Sequence, residues 1–109
     1  SVAATDRYDK KASFSNYGNV SVDLGAPGVN VYSTLPFNRY GNMNGTSMST
    51  PHVTGSAALI MAHKPTLSIY DLKDLILTSV SPVDSLRGLT VTGGRMDVYN
   101  AMALGFLFF

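Results

Sequence analysis

Gly45-Thr46-Ser47-Met48-Ser49-Thr50-Pro51 sets a serine just behind a glycine turn and just ahead of an apolar run of helical length. That is how a hydroxyl is held out as a nucleophile, and the chemistry implied is acyl transfer. A helix-capping serine would account for Ser47, but not for Thr46, Met48 and Pro51 around it. A serine hydroxyl stays protonated at neutral pH and needs an adjacent base, itself oriented by a third group. The chain has two histidines, His52 and His63. His52 follows Ser47 by five residues, an offset expected to turn it away, because positions three and four apart share a helix face. His63 and Lys64 suit a helix carboxyl end, where cations are favoured. Neither histidine is expected to act as the base.

The stretch resembles the nucleophile motif of the subtilisin-like serine proteases, Gly-Thr-Ser-Met followed by Ser or Ala, any residue and Pro, and it continues in that style through His52-Val53-Thr54-Gly55. Ala12-Ser13-Phe14-Ser15-Asn16-Tyr17-Gly18, Leu24-Gly25-Ala26-Pro27-Gly28 and the segment from Gly93 to Met102 resemble three further pieces of the same family. The likeness runs from about Val2 to Leu104, with Gly105 to Phe109 as an apolar tail of unassigned role.

The resemblance implies an α/β chain, the C-terminal portion of a three-layer fold with a mainly parallel sheet and a buried central helix. It implies a serine endopeptidase in which Ser47 is the nucleophile and its backbone N–H forms half of an oxyanion hole. Met43, Asn44 and Thr46 are the implied substrate contacts, the first two on the leaving-group side. The family's aspartate and histidine stand upstream, in Asp-Ser/Thr-Gly and His-Gly-Thr-His settings that this chain lacks. The implied partners are therefore the missing N-terminal part of the domain, on the same or a companion chain, and a peptide or protein substrate. The 109 residues alone are expected to be inactive. Secretion and structural calcium in the complete domain are implied as well. The alternative is a catalytically inactive relative, or a structural fragment, acting as a binding module.

The elements that must position the serine follow from local pattern. Ser1 to Thr5 and Val20 to Leu24 are β-rich runs, and Gly25-Ala26-Pro27-Gly28 reads as punctuation before a third run, Val29 to Thr34. From Pro51 to Lys64 apolar residues fall on every side, as in a helix buried all round. Pro51 predicts an irregular start over Ser47 to Thr50, since proline is tolerated only in a first turn. Ser68 and Asp71 form a capping box opening a helix to about Ser79, with Leu72, Leu75 and Ile76 on one face. Strands joined by partly helical connections favour an α/β architecture.

A length of 109 residues allows one domain at most, and 45% hydrophobic against 14% charged residues suggests a segment that belongs to a larger core. The chain opens on Ser1 rather than Met, as expected of a truncated, expressed or nicked C-terminal piece. A net charge of +1, with Lys10-Lys11 the only adjacent basic pair, offers nothing to nucleic acid. No apolar run approaches the roughly eighteen residues needed to cross a bilayer. Zero cysteines exclude disulfides and thiolate metal sites. Asp23, Asp71, Asp74 and Asp97 lack calcium-loop spacing, so no metal or cofactor is assigned to this chain.

Overall fold

The structure, a computed structural model, describes residues 1–108. Val2–Thr5 (β1) and Leu24–Pro27 (β2) pair in parallel with Ala4 opposite Ala26. Val31–Leu35 (β3) and Arg39–Met43 (β4) form a separate antiparallel hairpin. Then come α1 (Thr46–His63), α2 (Ile69–Thr78), the short strands β5 (Ser81–Pro82) and β6 (Gly94–Arg95), and α3 (Val98–Phe108). The main sheet runs β1-β2-β6-β5, with β2 and β6 parallel and β6 and β5 antiparallel.

All three helices lie on one face of this sheet. Leu24 and Ala26 of β2 pack with Ile60 of α1, Leu75 of α2 and Ala101 of α3. The opposite face is closed by Ala3, Val22, Val83 and Leu86, the last from a 3₁₀ turn at Asp84–Leu86. Leu75 and Leu86 are fully buried, each contributing about 1.5–3 kcal/mol of apolar burial. The expected α/β class with a mainly parallel sheet holds, present here as a main sheet with one helical layer and a separate hairpin.

Three local expectations change. Residues 19–21 form a turn rather than the start of a strand, and β2 runs through Gly25-Ala26-Pro27. Packing chose those small residues: a Cβ on Gly25 would lie 2.5 Å from Leu86 Cδ1. The long helix starts at Thr46, runs regularly through Ser47–Thr50 and contains Pro51 in its interior. It is also buried on one side only, with Ser49 and Ile60 inside and Leu59 and Met61 about half exposed, because just the side facing the sheet, α2 and α3 is covered.

α2 begins as expected, Ser68 Oγ accepting the Asp71 amide at 3.0 Å, and buries Leu72, Leu75 and Ile76. Lys64 Nζ reaches across to the Gly105 carbonyl at 2.9 Å, joining the end of α1 to α3. α3 continues past Leu104, so Gly105 to Phe108 of the apolar tail are helical. Gly105 is buried, while Phe106, Leu107 and Phe108 are exposed; Phe109 lies outside the described residues.

Candidate active site

β1 and β2 end at Thr5 and Pro27, and Gly28 follows at the carboxyl edge of the pair, its amide on the Thr5 carbonyl at 2.9 Å. The Gly28 carbonyl in turn accepts the Gly45 amide at 2.8 Å. Helix α1 therefore starts at the carboxyl ends of parallel strands, where open α/β sheets place their ligands.

Two more bonds fix that start. Ser49, fully buried, donates from Oγ to the Ala26 carbonyl at 2.9 Å. On the other side of the turn, Asn44 Oδ1 accepts the Asn30 amide at 2.7 Å. Such close approach needs small residues on the sheet. A Cβ on Gly28 would lie 2.3 Å from Ser49 Oγ and 2.7 Å from Ala4 Cβ. Gly28 is thus required for space, not for the turn angles its Ala-Pro-Gly setting suggests. Gly45 is required for angles, its φ of 153° being a conformation that side chains disfavour.

Between these anchors Ser47 is exposed in the first turn of α1. No side chain caps this helix end and no acidic residue stands in its first turn. The Met48 amide closes onto the Gly45 carbonyl at 3.0 Å, and the Ser47 amide is among the donors left open. Open amides and an uncompensated helix dipole both favour negative charge beside Ser47.

Ser47 opens on a groove of about 320 Å³, with Met48, Pro51 and His52 on the helix side and Tyr32 and Met43 on the hairpin side. Of the expected substrate contacts, Met43 lines this groove. Asn44 and Thr46 do not line it: the Asn44 side-chain oxygen is committed to the Asn30 amide, and Thr46 is half-buried. His52 does not turn away from the groove, because the groove wraps around the helix end and takes in both Pro51 and His52. Its Nδ1 lies 2.8 Å from the Met48 carbonyl, which can only accept, so Nδ1 carries a proton and is bonded to its own helix rather than to Ser47. His63, at the far end of α1, is about 24 Å along the helix axis. Among the described residues no ion pair includes a histidine, and no three His, Cys, Asp or Glu side chains converge as a metal site would require. Sequence reasoning read Gly28 only as turn chemistry and passed over Ser49, whose roles depend on strand-to-helix contacts, and Tyr32, which reaches the groove only through the hairpin.

The sheet, the helix on its carboxyl edge and the exposed serine at the helix start place the chain among α/β proteins of subtilisin type. The comparisons agree. A profile of the subtilase family matches residues 1–101, and the chain belongs to that family. It is 44% identical over 84 residues to subtilisin BL of Lederbergia lenta, covering 77% of this chain and 31% of that protein. It is 42% identical over 101 residues to a thermophilic serine proteinase of Bacillus sp. (strain AK1), covering 93% of this chain and 24% of the other. Among solved structures, a protease from Pseudoalteromonas arctica superposes with a TM-score of 0.79 at 30% identity, over 95% of this chain and 35% of that one. A chain from the assembly of subtilase cytotoxin gives 0.83 at 27% identity, over the same shares. The chain thus spans 24% to 35% of the length of these relatives. No helix among the described residues is long and apolar enough to cross a membrane.

Proposed function

We propose that the complete protein is a secreted serine endopeptidase that cleaves peptide bonds through an acyl-enzyme on Ser47. The observation that carries this reading is the exposed serine at an uncapped helix start, facing a groove, within a family whose similar members are named as proteases. Ser47 Oγ attacks the scissile carbonyl carbon while a histidine outside this chain takes its proton, oriented by an aspartate also outside it. The oxyanion so formed lies against the Ser47 amide. One such donor is worth about 2.7–4 kcal/mol of transition-state stabilisation. The histidine then protonates the leaving amine, and water attacks the acyl ester to free Ser47.

Met43 is the substrate contact best supported by position, with Asn44 and Thr46 flanking the nucleophile. The remaining part of the domain, on the same or a companion chain, is the obligatory partner. The exposed Leu59 and Met61 of α1 are surfaces it would cover. Structural calcium would belong to that part. By itself this chain has no base for Ser47, so it is inactive; ester hydrolysis by the purified 109-residue chain that vanishes in Ser47→Ala would refute this.

The test is labelling of the complete protein with a fluorophosphonate, read by intact mass and peptide mapping. A single adduct on Ser47, absent in Ser47→Ala, is expected. A folded complete protein that takes no label would instead be an inactive relative retained as a binding module.

A further inference from the structure

β1, β2 and β6 are neighbours in the main sheet, and their carboxyl ends border one depression of about 530 Å³. Asp6, Arg7 and Asp9 reach it just after β1, Val29 and Asn30 just after β2, and Arg95 from the end of β6. The carboxyl edge of parallel strands is where open α/β sheets bind ligands. Here the basin adjoins the Ser47 groove, because Val31, Tyr32 and His52 line both. The passage between them lies on the Met43 side of Ser47, since Val31 stands opposite Met43 in the hairpin register. Asn30 ties the basin wall to the nucleophile turn, its amide held by Asn44 Oδ1 at 2.7 Å.

Charge in the basin is unevenly matched. Arg95 Nε donates to Asp9 Oδ1 at 2.7 Å, and Asp6 Oδ1 accepts the Tyr8 and Lys10 amides at 2.8 and 2.9 Å. Arg7 has no ion pair among the described residues. Its exposed guanidinium lies 5.6 Å from the centre of the Tyr8 ring, a contact that restrains the group without neutralising it. A guanidinium is a planar fork that takes a carboxylate through two parallel hydrogen bonds. The geometry points to a binding site for the leaving-group segment of the substrate, in which Arg7 takes a carboxylate downstream of the scissile bond. That carboxylate is an Asp or Glu side chain or the free carboxyl end of the substrate. The segment passes Met43, crosses between Tyr32 and His52, and enters the basin. Arg7 sets specificity and takes no part in the bond-breaking steps. This inference rests on the peptidase reading above and adds a preference to it.

The experiment measures kcat/KM of the complete protein on internally quenched peptides that share one sequence up to the cut. Beyond it, a glutamate, alanine or lysine is stepped one position at a time through a neutral segment with an amidated end. A matching set is neutral throughout and carries a free carboxyl end at each of those positions. Wild type, Arg7→Ala and Arg7→Glu are compared, with Ser47→Ala as the blank. Wild type should favour glutamate over lysine about fivefold or more at one position, since attraction of the one and repulsion of the other each amount to about twofold to fivefold for an exposed pair. The preference should vanish in Arg7→Ala, reverse in Arg7→Glu and weaken at about 1 M salt. A free carboxyl end that outruns glutamate would make the chain terminus the natural occupant, and the converse would make it an acidic side chain. Equal kcat/KM for all peptides in wild type would overturn the inference alone. So would a preference that persists in Arg7→Glu, or a loss of rate in the variants that is the same for every peptide, since that marks a structural defect. Wild type that cleaves no peptide and takes no fluorophosphonate label would end the peptidase reading and this inference together.

Discussion

Gly28 and Ser49 meet so closely that the strand end and the helix start behave as one unit: a Cβ on Gly28 would stand 2.3 Å from Ser49 Oγ, the atom that donates to Ala26 at 2.9 Å. The Gly45 carbonyl would lie 2.7 Å from the same added carbon, so the glycine turn before Ser47 would be struck as well. Gly28→Ala is therefore expected to destabilise the complete protein by about 1–3 kcal/mol, the usual penalty for overpacking a closed site. Because backbone as well as side chain must shift, the labelling rate of Ser47 should fall too. Denaturant unfolding together with fluorophosphonate kinetics checks both, and unchanged labelling would mean that the helix start moves independently of β2.

Thr5 Oγ1 is fully buried and has no hydrogen-bond partner among the described residues, although the Thr5 backbone is engaged in β1 and accepts the Gly28 amide. A buried hydroxyl without a partner costs about 1–3 kcal/mol, and valine has nearly the same shape without it. Thr5→Val should stabilise the complete protein by about 1–2 kcal/mol, read as a rise in denaturation midpoint at constant slope. A loss of stability would show that the hydroxyl is satisfied by a water or by the rest of the domain.

The parts legible in the sequence are those fixed by short-range chemistry. Ser47 was visible from its glycine turn, and the start of α2 from Ser68 and Asp71, whose hydrogen bond is present at 3.0 Å. The parts that were not legible depend on contacts far along the chain. Gly25-Ala26 reads as punctuation until Leu86 is seen to need their small size, and Pro51 reads as a first-turn residue until the helix is seen to begin five residues earlier. The hairpin tip does carry the turn residues Pro36 and Asn38, but between them Phe37 takes a φ of 65°, beside 58° at Asn38. A phenylalanine is rare in that conformation, so β4 and the position of Tyr32 were hidden with it.

Asp97 precedes α3, and its carboxyl is held below the usual value of 3.8, first by the Asn100 amide and then by the Ser81 hydroxyl, with Arg95 and the Tyr99 amide adding to this and burial opposing it. A lowered folded-state value means that the carboxylate contributes stability above its unfolded pKa, and that this is lost as pH falls through the folded one. The complete protein should therefore lose stability below about pH 4 in part through this cap. Asp97→Asn keeps a helix-capping side chain but cannot titrate, so its stability should decline less steeply on the acid side. Parallel stability–pH curves for the two proteins would sink this account.

Met48 is half-buried on the groove wall next to Ser47, and a Cβ placed on Gly45 would lie 3.6 Å from its sulfur, so the thioether sits against the turn that presents the nucleophile. Oxidation to the sulfoxide adds a polar oxygen there and leaves a larger, stiffer side chain in a space already bounded by Pro51. Peroxide should therefore inactivate the complete protein in step with the gain of one oxygen at Met48. Met61, more exposed than Met48 but near the far end of α1, should oxidise without consequence. Met48→Leu keeps the volume and removes the sulfur, so it should stay active under the same treatment. Inactivation of Met48→Leu at the wild-type rate would move the sensitive group elsewhere, with Met43 across the groove the next to test.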